Sequence, residues 1–228
     1  MLKAFITTLL ITLLVILSLI DPISAWGSIH VPILLYHRFG HIASDTMTVT
    51  TSLFESHLNY LKGNDYQVIR LVDLIDYYYG KRRPFPPRVA VITVDDGHFS
   101  VYREMFPLIK KHKIPVTLFI YPSAISNASY AMTWGQLKEM KETGYFDFQS
   151  HTFWHPNFKI EKTRLVPSEY ESFVDMQLKK SKKKLEEELK VNVNMLAWPF
   201  GIYDNDLIRK AREAGYWATF TMERHPAT

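Results

Sequence analysis

Cysteine is absent from the 228-residue sequence, which excludes disulfides and thiolate metal ligands. The absence does not identify the compartment. A large charge excess is missing too: 27 Lys and Arg stand against 23 Asp and Glu, a net +4. Much of the basic charge is local, in Lys179, Lys180, Lys182, Lys183 and Lys184, with Glu186, Glu187 and Glu188 directly after. No aromatic residue interleaves with this run, so it reads as a solvated helix surface and not as a nucleic-acid stripe. What the chain has in quantity is apolar material, 47% of residues, with 14 Phe, 13 Tyr and 5 Trp. That is enough for one substantial core, while a second full domain would be cramped.

Only one hydrophobic run is long. Lys3 precedes Ala4 to Ile20, which carry no charge; Asp21-Pro22 ends the run, and Ile23-Ser24-Ala25 offers a small-residue cleavage site. This is the pattern of a secretory signal, and at about 17 residues the run is also close to the length of a bilayer span. Residues 1–25 are expected to be a signal peptide or an N-terminal membrane anchor. Residues 26–228 are then one extracytoplasmic domain, secreted, periplasmic or anchored at the cell surface.

Short apolar runs alternate with helical patterns along the rest of the chain. Val31–His37, Tyr66–Ile69, Val89–Val94, Val116–Ile120, Phe146–Ser150, Met195–Trp198 and Tyr216–Thr221 read as strands. Helices are expected over Leu53–Lys62 with Ser52 as cap, Val72–Tyr78, Tyr102–Lys113 with Pro107 interrupting or restarting it, and Trp134–Glu142 between Thr133 and Gly144. Two more cover Glu169–Leu189 and Asp206–Ala214, the last closed by Gly215. Residues 40–50 read as polar turns. Repeated strand-then-helix order predicts an α/β fold with mainly parallel strands. In a barrel of this kind the site lies on the loops after the strands, and His37, Asp95, Asp96, His151 and Pro199 all follow predicted strands. This agreement does not distinguish a closed barrel from an open sheet.

The organising stretch is Val89-Ala-Val-Ile-Thr-Val-Asp-Asp-Gly-His98, a buried strand running into two adjacent carboxylates. Gly97 lets the chain turn so that Asp95 and Asp96 reach one site from different angles; a solvated Asp-Asp-Gly turn is the plain alternative. His151-Thr-Phe-Trp-His155 supplies two imidazoles four positions apart, which on a helical turn face one point and suit capture of a divalent metal. Thr152 stands where zinc proteases carry a glutamate base, so the base must come from elsewhere. Two imidazoles and one carboxylate complete a facial set around zinc, and the second carboxylate is free to accept a proton. Such chemistry suits hydrolysis of an amide or an ester.

Thr93-Val-Asp-Asp-Gly97 followed by His151-Thr-Phe-Trp-His155 resembles the polysaccharide deacetylase family. Pro32–His37, Phe54 to Leu74, Val116–Ile120 and Ala197-Trp-Pro-Phe-Gly201 agree, so the resemblance runs over residues 31–221. It implies a distorted, incomplete (β/α) barrel, Asp95 as general base, and Asp96, His151 and His155 holding a divalent ion, zinc first. Thr152 would orient a nearby group, and Trp198, Pro199, Phe200 and Gly201 would line the substrate groove, with His37 and His98 beside it. The implied partner is an acetylated glycan polymer, together with cell-envelope polysaccharide machinery.

Two departures from the family pattern stand out. Ala197 occupies a groove position where many members carry an arginine that braces the catalytic aspartate; the branch of exported poly-β-1,6-N-acetylglucosamine deacetylases lacks it as well. No late histidine matches the family's general acid, since Glu223-Arg-His-Pro226 does not fit around His225. The leading expectation is removal of N-acetyl groups from an N-acetylglucosamine polymer. An O-acetyl glycan esterase and a non-catalytic glycan-binding or assembly protein are the alternatives.

Overall fold

The computed structural model describes residues 31–81 and 85–223. The expected leader, His225 and part of the proline-rich stretch lie outside these. The centre is β5, Val89–Asp96, in which every residue but the last is buried. A strand flanked by parallel neighbours and covered on both faces needs a continuous apolar run, and Val-Ala-Val-Ile-Thr-Val is one.

On one side of β5 lies β1, Ile33–Tyr36, with Tyr36 level with Val94; on the other lies β6, Val116–Ile120, with Asp95 level with Phe119. The ladder continues through β7, Phe146–Ser150, and β8, Met195–Ala197, to β9, Ala218–Phe220. The two-residue β4, Gln67–Val68, adds to the start of β5. Every pairing in this sheet is parallel, and among the described residues β1 and β9 do not meet. The result is an open, curled sheet, an incomplete half-barrel within an α/β fold. All the strand C-termini therefore open onto one face.

Helices cover the outside for reasons visible in their spacing. In α1, Thr51–Gly63, the buried residues Phe54, Leu58 and Leu61 form one stripe. Its cap is Thr50, whose side chain accepts from the Leu53 N–H, and not the expected Ser52, because the helix begins two residues earlier. After α2, Leu71–Tyr78, the chain enters β5 and leaves it through a π-helical turn, Val101–Met105, before α3, Phe106–His112. Pro107 lies in the first turn of α3, where a missing N–H costs nothing, so it restarts the helix. Helix α4, Trp134–Glu142, carries a capping box between Thr133 and Gln136.

Helix α5, Phe158–Arg164, was not expected: it is seven residues long with one buried side chain, Phe158, too short to show a period. Helix α6, Pro167–Leu189, buries Tyr170, Val174, Gln177, Leu178, Ser181, Leu185 and Leu189. Its lysines face outward and pair along the helix, Lys179 with Asp175 at 2.8 Å and Lys184 with Glu188 at 2.9 Å. Helix α7, Asn205–Glu213, begins at the Asp204 cap. Within the stretch expected to be polar turns, β3, Thr48–Thr50, pairs in parallel with β2, Arg38–Gly40. Among the described residues, no helix is long and apolar enough to cross a membrane.

Candidate metal centre and active site

The two aspartates end β5 on the open face. Asp95 is still extended and is 5% exposed, whereas Asp96 has φ +75° and Gly97 φ +82°. Adjacent side chains on a strand point apart. The left-handed backbone at Asp96 cancels that alternation and brings its carboxylate to the side Asp95 faces. A side chain at Gly97 would be both strained and crowded: at this φ only glycine is at ease, and a Cβ would lie 3.1 Å from both Ile120 Cδ1 and Ile125 Cδ1.

The histidines reach the same point from a loop, not from the helical turn expected. Residues 151–155 follow β7 without forming a helix, and Thr152 and His155 have φ of +65° and +61°. Thr152 Oγ1 accepts the His155 N–H at 3.2 Å, which folds the loop back on itself. From α6, the buried Gln177 extends Oε1 to the backbone N–H groups of Phe153 and Trp154, at 3.1 and 3.0 Å. A long-range bond from a helix 23 to 24 residues later leaves no local signal, so the sequence reading missed Gln177.

Donor atoms of Asp96, His151 and His155 all lie within 4.8 Å of one another. His151 Nε2 is 3.6 Å from Asp96 Oδ1 and 3.8 Å from Asp95 Oδ2, and His155 Nε2 is 3.5 Å from Asp96 Oδ1. His151 Nδ1 lies 2.8 Å from the Ala197 carbonyl. A carbonyl only accepts, so Nδ1 carries the hydrogen and Nε2 presents a lone pair to the carboxylates. Protonation of Nε2 is opposed by burial first and then by His155, which push the His151 pKa down to about 3. Burial also lowers His155 against the pull of Asp96. Lone pairs of neutral imidazoles converging with carboxylate oxygens form a set that a divalent cation fits.

Asp95 differs from its neighbour. Burial and then the Asp96 charge hold its pKa well above the ordinary 3.8, and its buried Oδ1 has no hydrogen-bond partner among the described residues. A carboxylate so placed binds a proton more tightly than a free one.

Around the cluster the rim is largely aromatic. The Tyr121 ring is 5.3 Å from His155, and its hydroxyl is 2.9 Å from that of Tyr130, which stacks with His98 at 6.4 Å. His98 Nδ1 accepts from the Ser100 N–H, which leaves Nε2 as the hydrogen-bearing nitrogen of the neutral ring. His37 is half-buried, and its pKa is lowered by burial while Asp96 pulls it up. Pro199 and Trp198 are buried, Trp198 packing edge-on to Phe158 at 5.7 Å. Phe200 is instead 54% exposed with φ +57°, its ring 4.6 Å from His155. Gly201, with φ +66°, closes that turn against Thr221 and Met222. Thus Phe200 lies exposed against His155, His98 stacks on Tyr130, and Trp198 is part of the packing beneath.

This fold, with two aspartates closing the central strand and a histidine loop after β7, defines a class. The chain belongs to the polysaccharide deacetylase family, whose description reads "Polysaccharide deacetylase" and whose model matches residues 82–219. A poly-β-1,6-N-acetyl-D-glucosamine N-deacetylase of Staphylococcus aureus is 31% identical over 186 residues, 79% of this chain and 63% of that protein. The chain thus spans less than two thirds of that relative's length. IcaB from Ammonifex degensii superposes with a TM-score of 0.76 at 25% identity, over 86% of this chain and 85% of the other. A Streptococcus pyogenes deacetylase, PplD, solved in complex with acetate, shares the fold with a TM-score of 0.73 at 23% identity, over 83% and 82% of the two chains.

Two outcomes follow from this arrangement. Gln177→Leu keeps the volume but orphans two N–H groups of the histidine loop, and it is expected to weaken zinc binding about 10- to 100-fold in a chelator-competition titration. Unchanged affinity would mean that the loop holds its shape without α6. For Asp95, the folded pKa is raised, so the metal-free protein loses stability as pH rises from the unfolded value through the folded one. His151 and His155, with lowered values, act in the opposite sense and lose stability as pH falls below 6.5, in wild type and variant alike. Metal-free Asp95→Asn is therefore expected to melt above wild type at pH 8, by about 2–4 °C for each kcal/mol gained. The gap should close toward pH 4; a variant that melts lower at pH 8 would show that Asp95 is not held under strain.

Proposed function

We propose that the chain is a metal-dependent hydrolase that removes N-acetyl groups from an N-acetylglucosamine-containing polysaccharide outside the cytoplasm. One observation carries the reading. Two carboxylates with opposite surroundings meet at one point, Asp96 among imidazole lone pairs and Asp95 buried with a free oxygen. Asp96, His151 and His155 would hold the ion, and the imidazole-rich donor set favours zinc. A divalent ion there supplies a Lewis acid for the acyl oxygen and lowers the pKa of a water.

The chain's own residues do the rest. Asp95, whose Oδ2 lies 3.8 Å from His151 Nε2 at the cluster, takes the proton of the attacking water. The tight hold on that proton, imposed by burial and Asp96, makes it a better base than an exposed aspartate. The Ala197 carbonyl keeps His151 in one tautomer throughout. Phe200, exposed beside His155, presents a ring face on which a sugar can stack.

Amide over ester, and a β-1,6-linked N-acetylglucosamine polymer over other acetylated glycans, are supported by the printed activity of the staphylococcal relative. Placement outside the cytoplasm is supported by the uncharged run from Ala4 to Ile20 behind Lys3.

The test is acetate release from β-1,6 and β-1,4 N-acetylglucosamine oligomers by zinc-loaded protein. Release should stop on chelation and return with zinc. Asp95→Asn should lower it by about 10²–10⁴-fold while zinc content and fold stay intact. Full turnover in that variant would remove Asp95 from the chemistry.

A further inference from the structure

The turn that leaves β5 continues into a helical face that the mechanism above does not use. Inward, the π-helical turn and α3 bury Val101, Met105 and Ile109 completely. Outward, Phe99, Tyr102, Phe106 and Lys110 recur at spacings of three and four. They line a groove of about 490 Å³, to which Gln136 and Glu139 of α4 contribute the other wall. That volume is in the range of ligand sites.

The groove is braced by its own polar groups. The Tyr102 hydroxyl donates to Glu139 Oε2, joining the two walls. Arg103 Nε donates to Glu104 Oε1 at 2.8 Å, and Glu104 Oε2 accepts from the Thr51 hydroxyl at 3.1 Å, which ties the guanidinium to α1. So held, Arg103 lies 4.9 Å from the centre of the Phe99 ring, and Lys110 Nζ lies 4.6 Å from that of Phe106. Gln136 Oε1 accepts the Thr133 N–H at 2.8 Å, which leaves its NH2 to donate.

A run of rings connects this groove to the Asp-His cluster. His155 lies 5.3 Å from the Tyr121 ring, the Tyr121 and Tyr130 hydroxyls are 2.9 Å apart, Tyr130 stacks with His98, and His98 lies 4.7 Å from Phe99. Two backbone bonds hold the run in place, from the Phe99 N–H to the Tyr130 carbonyl at 2.8 Å and from the Met132 N–H to the Gly97 carbonyl at 2.9 Å. Tyr130 is exposed, and Tyr121, His98, Phe99 and Tyr102 are half-buried, so the run reaches the surface along its length.

Aromatic rings edged by planar polar groups suit a sugar. Its C–H face packs on a ring, and the hydroxyls around its rim take hydrogen bonds from guanidinium and amide donors. We infer that the groove between α3 and α4 binds the same glycan polymer away from the reacting residue, its rings stacking sugars several units along from the one whose acetyl group meets the cluster. The inference deepens the proposed function and rests on it. Four side-chain contacts separate the groove from His155, so a short oligomer fills the cluster alone and a long one fills both.

The experiment compares zinc-loaded wild type, Tyr102→Ala, Tyr102→Phe and Arg103→Ala on a β-1,6 N-acetylglucosamine dimer and octamer. Tyr102→Ala should raise KM for the octamer about tenfold and KM for the dimer less than about twofold. Tyr102→Phe keeps the ring and should retain most of the octamer's advantage. Arg103 is exposed, so Arg103→Ala, expected to lose about threefold on the octamer, keeps the test open if Tyr102→Ala does not fold. Equal losses on dimer and octamer, or an octamer KM unchanged in both alanine variants, would overturn the groove and leave the deacetylase reading standing. A second arm needs no turnover: octamer affinity by calorimetry for Asp95→Asn, with and without each alanine substitution. Weaker binding by the same factors supports the groove even if acetate release fails. Equal affinities, or no binding by Asp95→Asn itself, overturn it.

Discussion

Neighbouring side chains on an extended strand point to opposite faces, so two adjacent aspartates can serve one site only if the backbone stops being extended between them. The chain does this at Asp96, with φ +75°. Left-handed backbone at a residue other than glycine costs on the order of 1–3 kcal/mol, and three further residues of the site share it: Thr152, His155 and Phe200. The strain is held by what surrounds it. Gly97 turns where a Cβ would be strained and crowded, Thr152 Oγ1 catches the His155 N–H, and Gln177 pins the loop from α6. The fold below, a buried parallel sheet with its helices outside, is the frame that makes these local costs bearable.

The same frame sets the electrostatics. Imidazole lone pairs and carboxylate oxygens lie 3.5–3.8 Å apart, and burial holds the protons off the histidines. A group of like-natured acceptors is unfavourable by itself and becomes favourable around a cation. Asp95 sits one residue away but is set apart by its surroundings. The division of labour between two identical side chains comes from their environments: Asp96 faces both histidine Nε2 atoms, and Asp95 keeps a free oxygen in the interior.

Much of this was legible in the sequence. Val116–Ile120, Trp134–Glu142 and Phe146–Ser150 are found with the expected bounds, because apolar period, cap and stop signal agree there. The parallel α/β sheet follows from the strand-helix order, which by itself left open whether the sheet closes. Local information ran out where structure depends on partners far along the chain. Strands β2 and β3 are three residues each and exist through their pairing with each other. The 151–155 loop has helical spacing but is shaped by Gln177 and by the left-handed residues at 152 and 155, which composition does not mark.

The central claim is that Asp96, His151 and His155 hold the metal while Asp95 stays free of it. An anomalous-difference map from crystals of the zinc-loaded protein tests it most directly. The account predicts one strong peak about 2.0–2.2 Å from an Asp96 oxygen and from Nε2 of both histidines, with Asp95 outside bonding distance. Zinc bound through Asp95 in place of Asp96, or no ordered zinc between the two histidines, would contradict it.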